Sequence, residues 1–293
     1  MHTKKIRLFI LLSLLWFSLL GLWYTMTSVS LIERVQQETL IIAHRGSSST
    51  APENSFAAVE QAHLAGADLI ELDFFIARDG GLFVHHDELK DEQPIPELST
   101  EKFQQLDISQ EDKFAQAYTQ VHPPLLEPML EKILSQSTPL IEYKRNSLTP
   151  DESAQKASDA LLEILNRRGW RNRVIIQSFD VVFLFYCRSQ APDLILGWLV
   201  RDDTIEHIKT IEKEIKPDII AWKREMLTPE IIEALHTYSN ARIWAWYSGQ
   251  DKTNDPAYTL DMIKKGISGI ITDYPAQARV VHTWSVQNQI LSP

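Results

Sequence analysis

Two acidic residues, Glu71 and Asp73, lie two positions apart inside an apolar run. In a β-strand, successive side chains point to opposite faces, so this spacing puts both carboxylates on one face and Leu72 on the other. Two neighbouring carboxylates repel each other unless a cation joins them. Hard divalent ions such as Mg²⁺ or Ca²⁺ take oxygen ligands of this kind. The pair therefore indicates a metal site, with a salt-bridged acidic pair as the alternative.

The same alternation recurs at Glu142 and Lys144, which flank Tyr143 near the end of a later apolar run. A period of two puts this acid and this base on one face of a strand. Glu142 can complete a three-carboxylate metal site, and Lys144 can offset the charge of a phosphate group. An ordinary ion pair between the two side chains is the alternative.

Two further groups with catalytic potential follow short apolar runs. His44-Arg45-Gly46 follows the first run, and the planar, permanently charged fork of Arg45 suits a phosphate or a carboxylate. His85-His86-Asp87 follows a turn sequence, Asp79-Gly80-Gly81. A hairpin at that turn would bring these histidines back toward His44.

Together, three carboxylates, two histidines, an arginine and a lysine suit metal-assisted phosphoryl transfer. The metal and the cationic side chains would stabilise negative charge on the phosphate. One histidine would accept a proton from the attacking oxygen, and the other would protonate the leaving alcohol.

Short β-rich runs alternate with helix-like stretches along the rest of the chain, which predicts a (β/α)8 barrel. In such a barrel, the residues singled out above fall at the carboxyl ends of the first three strands, where active sites form. The eight predicted strands are Leu40 to Ala43, Leu69 to Ile76, Pro139 to Tyr143, Arg173 to Ser178, Leu194 to Val200, Asp218 to Trp222, Arg242 to Tyr247 and Gly269 to Thr272.

Helix signals support this division. Thr149-Pro150 and Thr228-Pro229 are typical of helix starts, and Gly66, Gly169 and Gly266 of helix ends. The predicted helices include Glu53 to Ala65, Asp151 to Arg168, Thr204 to Ile215 and Thr228 to Tyr238. The proline-rich, charged stretch at about 88–126 has one modest helical pattern, Thr100 to Leu106, and is interpreted as an insertion after the second strand that forms part of the rim of the site.

The amino terminus predicts a membrane anchor. Leu8 to Met26 contains nineteen uncharged residues, enough at ~1.5 Å per residue to cross a hydrocarbon core of about 30 Å. The basic residues Lys4, Lys5 and Arg7 precede it, so the amino terminus should stay in the cytoplasm with the rest of the chain on the outer, periplasmic or extracellular, side. The predicted units are a transmembrane anchor at 1–30 and a barrel domain at 39–290. A cleaved signal peptide is the alternative.

Composition excludes several other classes. The chain of 293 residues is 44% hydrophobic and 23% charged, as expected for a globular protein. Its net charge of −10 argues against general nucleic-acid binding, so no nucleic-acid partner is expected. The single cysteine, Cys187, excludes an intrachain disulfide and a cysteine-based zinc cluster.

These motifs, in this order, resemble the glycerophosphodiester phosphodiesterase family. The likeness extends from about Leu40 to Pro275. The matching segments are His44-Arg45-Gly46, Pro52-Glu53-Asn54-Ser55, Gly66-Ala67-Asp68, Glu71-Leu72-Asp73, Asp79-Gly80, His86-Asp87, Glu142-Tyr143-Lys144, Gln177-Ser178-Phe179, Trp246 and Gly269-Ile270-Ile271-Thr272-Asp273-Tyr274-Pro275.

The resemblance implies a TIM barrel of the phospholipase C-like phosphodiesterase type with a small insertion after strand 2. It also implies hydrolysis of glycerophosphodiesters to glycerol 3-phosphate and an alcohol, by way of a cyclic phosphate formed by the neighbouring glycerol hydroxyl. The implied metal ligands are Glu71, Asp73 and Glu142, with Mg²⁺ or Ca²⁺ as the cofactor. The implied acid/base pair is His44 and His86, and the implied phosphate-binding residues are Arg45 and Lys144.

Several alternatives stay open. Glu53 and Asn54 either cap a helix or support the site, and Phe179, Trp222 and Trp246 either line the alcohol pocket or belong to the core. The membrane anchor also suits a lysophospholipase D-type enzyme that acts on lipids. A third possibility is a barrel that binds phosphodiesters without turnover.

Overall fold

The computed structural model describes residues 30–37, 39–90, 93–147, 149–201, 204–246, 256–288 and 290. The predicted anchor at Leu8 to Met26 lies outside these residues. None of the described helices combines the length and the apolar character needed to cross a membrane. The chain divides into an amino-terminal unit, Met1–Gln37, and a larger unit, Glu38–Pro293.

Each described element has a defined start and end. The strands are β1 (Leu40–Ala43), β2 (Leu69–Ile76), β3 (Leu82–Val84), β4 (Leu89–Lys90), β5 (Gln93–Pro94), β6 (Thr138–Tyr143), β7 (Ile175–Ser178), β8 (Ile195–Val200), β9 (Ile219–Lys223), β10 (Arg242–Trp246) and β11 (Gly269–Thr272). The helices are α1 (Leu31–Gln37), α2 (Phe56–Leu64), α3 (Thr100–Phe103), α4 (Glu111–Phe114), α5 (Leu126–Leu134), α6 (Pro150–Arg168), α7 (Val181–Gln190), α8 (Ile205–Glu214), α9 (Pro229–Tyr238), α10 (Pro256–Lys264) and α11 (Pro275–Gln287).

Eight parallel strands of the larger unit close into a barrel. Their order is β1-β11-β10-β9-β8-β7-β6-β2, and β1 also pairs with β2, which closes the sheet on itself. This arrangement confirms the predicted (β/α)8 barrel. The predicted bounds of β1, β2 and β11 agree with the structure, and those of the other five barrel strands differ by one or two residues at one or both ends.

Local sequence signals set the helix boundaries. Thr228 caps α9 by accepting a hydrogen bond from the Ile231 amide at 3.4 Å, and Ser55 caps α2 by accepting one from the Ala58 amide at 3.1 Å. Gly169 follows α6 with φ +67°, a left-handed conformation that glycine adopts without strain.

Strand alternation divides the barrel's apolar residues into two layers. Ile41, Leu72 and Ile176 point outward and pack in the main hydrophobic core, to which the helices also contribute. The inner layer includes Trp244. A Cβ atom at Gly269 would lie 2.4 Å from its Cγ atom, so only glycine fits beside this ring.

An additional layer of chain lies between β2 and α5. The predicted turn at Asp79-Gly80-Gly81 is present, because β3 pairs antiparallel with the end of β2 and Val84 lies opposite Phe74. Beyond it come the two-stranded β4-β5 hairpin and the short helices α3 and α4. Helix α3 covers only the first part of the predicted Thr100 to Leu106 pattern. A small core that includes Phe83 and Phe103 packs this segment against β2.

Candidate active site

The three predicted metal ligands converge at the carboxyl ends of β2 and β6. One oxygen from each of Glu71, Asp73 and Glu142 can be chosen so that all three lie within 4.8 Å of one another. β2 and β6 pair in register, with Asp73 directly beside Glu142. All three side chains are buried. Strand alternation turns them inward, and the pairing of β2 with β6 brings them together.

The His44-Arg45-Gly46 turn holds Glu71 through backbone groups. The Arg45 amide donates to Glu71 Oε2 at 2.7 Å, and the Gly46 amide donates to the Glu71 carbonyl at 3.1 Å. Arg45 and Gly46 both have positive φ, +55° and +79°. A Cβ atom at Gly46 would lie 2.6 Å from Ala58, so close packing against α2 requires glycine here.

Asn54 and Glu53 act on the site rather than on the start of α2. The Asn54 amide nitrogen donates to Asp73 Oδ2 at 2.9 Å, and its Oδ1 accepts from the Asp73 backbone amide at 3.1 Å. The Glu53 carboxylate accepts two hydrogen bonds from Arg45 Nη1, at 2.9 and 3.0 Å. The side-chain cap of α2 is Ser55, so the capping interpretation of Glu53 and Asn54 was wrong.

Two half-buried cations neutralise part of the acidic cluster. Lys144 Nζ lies 2.5 Å from Glu142 Oε1 and 3.1 Å from Asp73 Oδ1, and Arg45 Nε lies 3.3 Å from Asp73 Oδ2. Burial alone would raise the pKa of Asp73, but Lys144 and Arg45 hold that pKa below its ordinary value. The same carboxylates raise the pKa of Lys144 despite burial. Asp73 and Lys144 therefore both stay charged near neutral pH.

Glu71 has the opposite electrostatic environment. Burial, followed by the like charges of Asp73 and Glu142, raises the pKa of its carboxyl group well above the ordinary value. Its Oε1 atom is buried and accepts no hydrogen bond from the described residues. A buried, unpaired carboxylate oxygen is costly unless a cation joins it. The oxygen-only donor set therefore fits a hard divalent ion.

His44 is held by a carboxylate from the opposite end of the barrel sequence. Its Nδ1 atom lies 2.7 Å from Asp273 Oδ1, and Ser48 Oγ donates to the same carboxylate oxygen at 2.9 Å. Burial would raise the pKa of Asp273, but its bonds to His44 and Ser48 hold that pKa low, so Asp273 is ionised near neutral pH. An anionic acceptor at Nδ1 favours the tautomer that leaves Nε2 without a proton.

His86 has a comparable partner, because its Nδ1 atom lies 2.7 Å from Asp87 Oδ1. Both His44 and His86 line one cavity beside Glu142 and Lys144. The neighbouring His85 packs edge-on toward Phe103 of the inserted segment, with ring centroids 6.1 Å apart.

The cavity measures about 300 Å³ and has a polar wall and an aromatic wall. Phe179 and Trp246 form the aromatic wall, with ring centroids 5.2 Å apart and planes nearly perpendicular. The Trp246 indole nitrogen donates to the carbonyls of Val200 and Ala221, both at 3.0 Å, which fixes the ring. Trp222 belongs instead to the main hydrophobic core, so the suggestion that it lines the alcohol pocket was wrong.

Seven cavity-lining residues had no role in the sequence interpretation: Ser48, Lys113, Gln177, Leu199, Arg201, Ile271 and Asp273. Lys113 comes from the insertion and donates to the Ser48 carbonyl at 2.7 Å. Nothing in the local sequence indicated this contact. The position of Asp273 could have identified it, because Asp273 directly follows β11 and comes two residues after the inward-facing Ile271.

A larger open cleft of about 660 Å³ lies outside the barrel mouth. Its lining includes Arg78, Glu97 and Lys156, and none of the predicted site residues. The chemistry suggested by the sequence therefore belongs to the smaller cavity.

The fold and this site together define a TIM-barrel enzyme with an acidic triad able to hold a divalent ion. The model of the glycerophosphoryl diester phosphodiesterase family matches residues 44–277. The chain therefore belongs to this family. It is accordingly an enzyme, a phosphoric diester hydrolase, and not a barrel without turnover.

Curated relatives support this assignment. A glycerophosphodiester phosphodiesterase of Caldanaerobacter subterraneus subsp. tengcongensis is 30% identical over 254 residues, covering 81% of this chain and 95% of that protein. One from Bacillus altitudinis is 29% identical over 250 residues, covering 82% and 96%.

Solved structures share the fold. A phosphodiesterase of Oleispira antarctica, in complex with the product sn-glycerol-3-phosphate, superimposes with a TM-score of 0.74 at 20% identity, covering 85% of this chain and 98% of that one. A glycerophosphodiester phosphodiesterase of Agrobacterium tumefaciens superimposes with a TM-score of 0.66 at 26% identity, covering 83% and 99%.

Proposed function

We propose that this protein is a membrane-anchored, metal-dependent enzyme that hydrolyses glycerophosphodiesters to glycerol 3-phosphate and an alcohol. The observation that carries the proposal is the buried acidic triad beside a cavity that is lined by two carboxylate-linked histidines. Family membership supplies the reaction class.

Glu71, Asp73 and Glu142 would hold the divalent ion, Mg²⁺ or Ca²⁺, through carboxylate oxygens. When bound, the ion supplies positive charge that stabilises the phosphate in the transition state. Arg45 and Lys144 bring two further positive charges to the same place and bind the phosphate oxygens.

The two histidines divide the proton transfers. One accepts the proton of the glycerol 2-hydroxyl as that oxygen attacks phosphorus, and the other protonates the departing alcohol. The same pair, with exchanged roles, serves when water opens the cyclic phosphate. Asp273 and Asp87 fix the orientation of His44 and His86 and favour protonation at Nδ1, so the Nε2 atoms are available for transfer.

The cavity favours a small, water-soluble diester. It measures about 300 Å³, and its apolar part consists of Phe179, Leu199, Trp246 and Ile271. An aromatic wall of this size suits a head group such as choline. A lysophospholipid needs an apolar groove for its acyl chain, so this second candidate has less support from the lining residues.

The proposed anchor is Leu8 to Met26, with Lys4, Lys5 and Arg7 on the cytoplasmic side and the barrel outside. Fusions of alkaline phosphatase, which is active only outside the cytoplasm, at Glu38 and at Pro293 test this topology. Activity of both fusions supports it, and inactivity of both contradicts it. Membrane extraction with carbonate then separates an anchored protein from one released by signal cleavage.

The reaction is tested with the purified full chain in detergent. We would supply glycerophosphocholine, glycerophosphoethanolamine and lysophosphatidylcholine, each with Mg²⁺, Ca²⁺ or a chelator, and measure glycerol 3-phosphate and free choline or ethanolamine. We expect metal-dependent release of glycerol 3-phosphate, lost in His44→Ala. Hydrolysis of lysophosphatidylcholine alone would establish the lipid-cleaving candidate instead. No release from any substrate with either metal would refute the proposed reaction.

A further inference from the structure

Gln177 is a buried polar side chain with an unpaired acceptor that faces the candidate active site. Its side chain is 1% exposed, and it lines the cavity that holds His44 and Lys144. Its Oε1 atom accepts no hydrogen bond from the described residues. About nine in ten buried polar groups in proteins have a partner, so this exception points to a partner that enters the cavity.

The barrel places Gln177 in the same layer as two of the predicted metal ligands. β7 pairs with β6 so that Gln177 lies beside Glu142, which lies beside Asp73 of β2. The residues on either side of Gln177 point outward, because Ile176 packs in the main core and Ser178 Oγ donates to the Tyr143 carbonyl. Strand alternation therefore turns the Gln177 amide inward.

The next strand packs closely against Gln177. The neighbour of Gln177 on β8 is Gly197, which has no side chain. A Cβ atom at Gly197 would lie 3.2 Å from Gln177 Cβ, so any other residue would crowd the glutamine. Glycine at position 197 therefore accommodates the Gln177 side chain next to Glu142.

The chemistry of the amide selects its partner. A phosphate oxygen only accepts hydrogen bonds, so it cannot satisfy Oε1. Neither Arg45 nor Lys144 donates to this atom. A hydroxyl both donates and accepts, and so matches an amide, which has an oxygen acceptor and a nitrogen donor. This match holds whichever way the amide is turned.

We propose that Gln177 binds the terminal hydroxyl of the substrate's glycerol and so selects diesters that contain glycerol. This inference rests on the proposed function, in which the other glycerol hydroxyl must reach a histidine. The amide is then free for the terminal hydroxyl. Without a glycerol in the cavity, Oε1 lacks a donor among the described residues, so an analogue without that hydroxyl is rejected.

The test combines one variant with one deoxy substrate, using the full chain in detergent with Mg²⁺. Gln177→Met keeps the length of the side chain and removes its polar atoms. The substrates are glycerophosphocholine and 2-hydroxypropyl phosphocholine, which keeps the attacking hydroxyl and lacks the terminal one. We expect the wild type to prefer glycerophosphocholine by roughly 10- to 100-fold in kcat/KM, as for one unsatisfied buried acceptor. Gln177→Met should reduce this preference to less than about threefold.

A binding measurement separates this proposal from the reaction itself. Calorimetric titration with glycerol 3-phosphate and with 2-hydroxypropyl phosphate requires no turnover. In Gln177→Met, we expect binding of glycerol 3-phosphate to weaken by about tenfold and that of the deoxy compound to change by less than about threefold. Gln190→Met is the matched control, because Gln190 lies on α7 and donates to Asp159 outside the cavity. Gln190→Met should leave the affinity for both ligands unchanged.

Three results would overturn the proposal. Equal losses for the hydroxylated and deoxy ligands would show a general structural role. Unchanged preference in Gln177→Met would show that the amide does not contact this hydroxyl. Weaker Mg²⁺ binding, measured by titration without substrate, would assign Gln177 to the metal.

If Gln177→Met fails to fold, Gln177→Asn, which keeps the amide but shortens the side chain, should lose most of the same preference. If no diester is hydrolysed, the proposed reaction fails, and the binding arms still test Gln177.

Discussion

Replacing Asp273 with Asn tests the inference that a carboxylate orients His44. The exchange keeps the size of the side chain and removes its charge. The His44 Nδ1 to Asp273 Oδ1 distance of 2.7 Å is typical of a strong, charge-assisted hydrogen bond. An asparagine amide can also turn its NH₂ group toward Nδ1, which stabilises the tautomer with the proton on Nε2, the wrong form for accepting a proton.

The expected loss follows from the contact. A hydrogen bond to a charged group contributes about 1.5–3 kcal/mol, and each ~1.4 kcal/mol is tenfold in rate, so kcat should fall by roughly 10- to 150-fold. The two side chains are 19% and 29% exposed, which favours the lower half of this range. KM and Mg²⁺ affinity should change by less than about threefold, because Asp273 touches neither Lys144 nor the acidic triad.

The assay is release of glycerol 3-phosphate from glycerophosphocholine, followed by a coupled dehydrogenase, with the melting temperature as a check on folding. Ser48→Ala is the matched control. It removes the hydroxyl that donates to the same carboxylate oxygen at 2.9 Å and leaves the charge in place. We expect it to lower kcat by about fivefold, as for one ordinary hydrogen bond. A folded Asp273→Asn enzyme with kcat within threefold of the wild type would refute the orientation of His44 by Asp273.

Three more outcomes are expected. Glu142→Gln removes one carboxylate of the triad and should abolish the metal-induced rise in melting temperature, which for Mg²⁺ at 100 times its Kd corresponds to about 2.7 kcal/mol in the wild type; an unchanged rise would place the metal elsewhere. Gly269→Ala puts a Cβ atom 2.4 Å from the Trp244 ring and should lower the free energy of unfolding in urea by about 1–3 kcal/mol; no loss would contradict the tight packing. Burial raises the pKa of the Cys187 thiol to about 12, so the unfolded chain loses this proton first, and stability should fall as the pH rises from about 9 to 12. Cys187→Ala has no thiol to ionise, so its free energy of unfolding should fall by roughly 1.4 kcal/mol less than that of the wild type between neutral pH and pH 10. Equal pH dependence of the two proteins would contradict the burial effect.

The strands and the acidic triad could be predicted because their signals are local. The alternation at Glu71, Asp73 and Glu142 decides which way each side chain points, whatever the rest of the chain does. The barrel strands are short apolar runs separated by turn and cap residues, which makes them recognisable one at a time. The insertion was less predictable, since its small core around Phe103 depends on contacts with β2 and β3.

The sequence by itself determined the barrel, the inward carboxylates and the family, because these follow from periodicity and from ordered motifs. Only the tertiary structure decided which groups complete the site. His44 and Asp273 are 229 positions apart and meet because β1 pairs with β11 when the barrel closes. Asn54 reaches Asp73 from the segment before α2, and Gln177 lies beside Glu142 because β6 pairs with β7. Strand pairing joins segments that are far apart in the sequence, so no local pattern shows which inward side chains become neighbours.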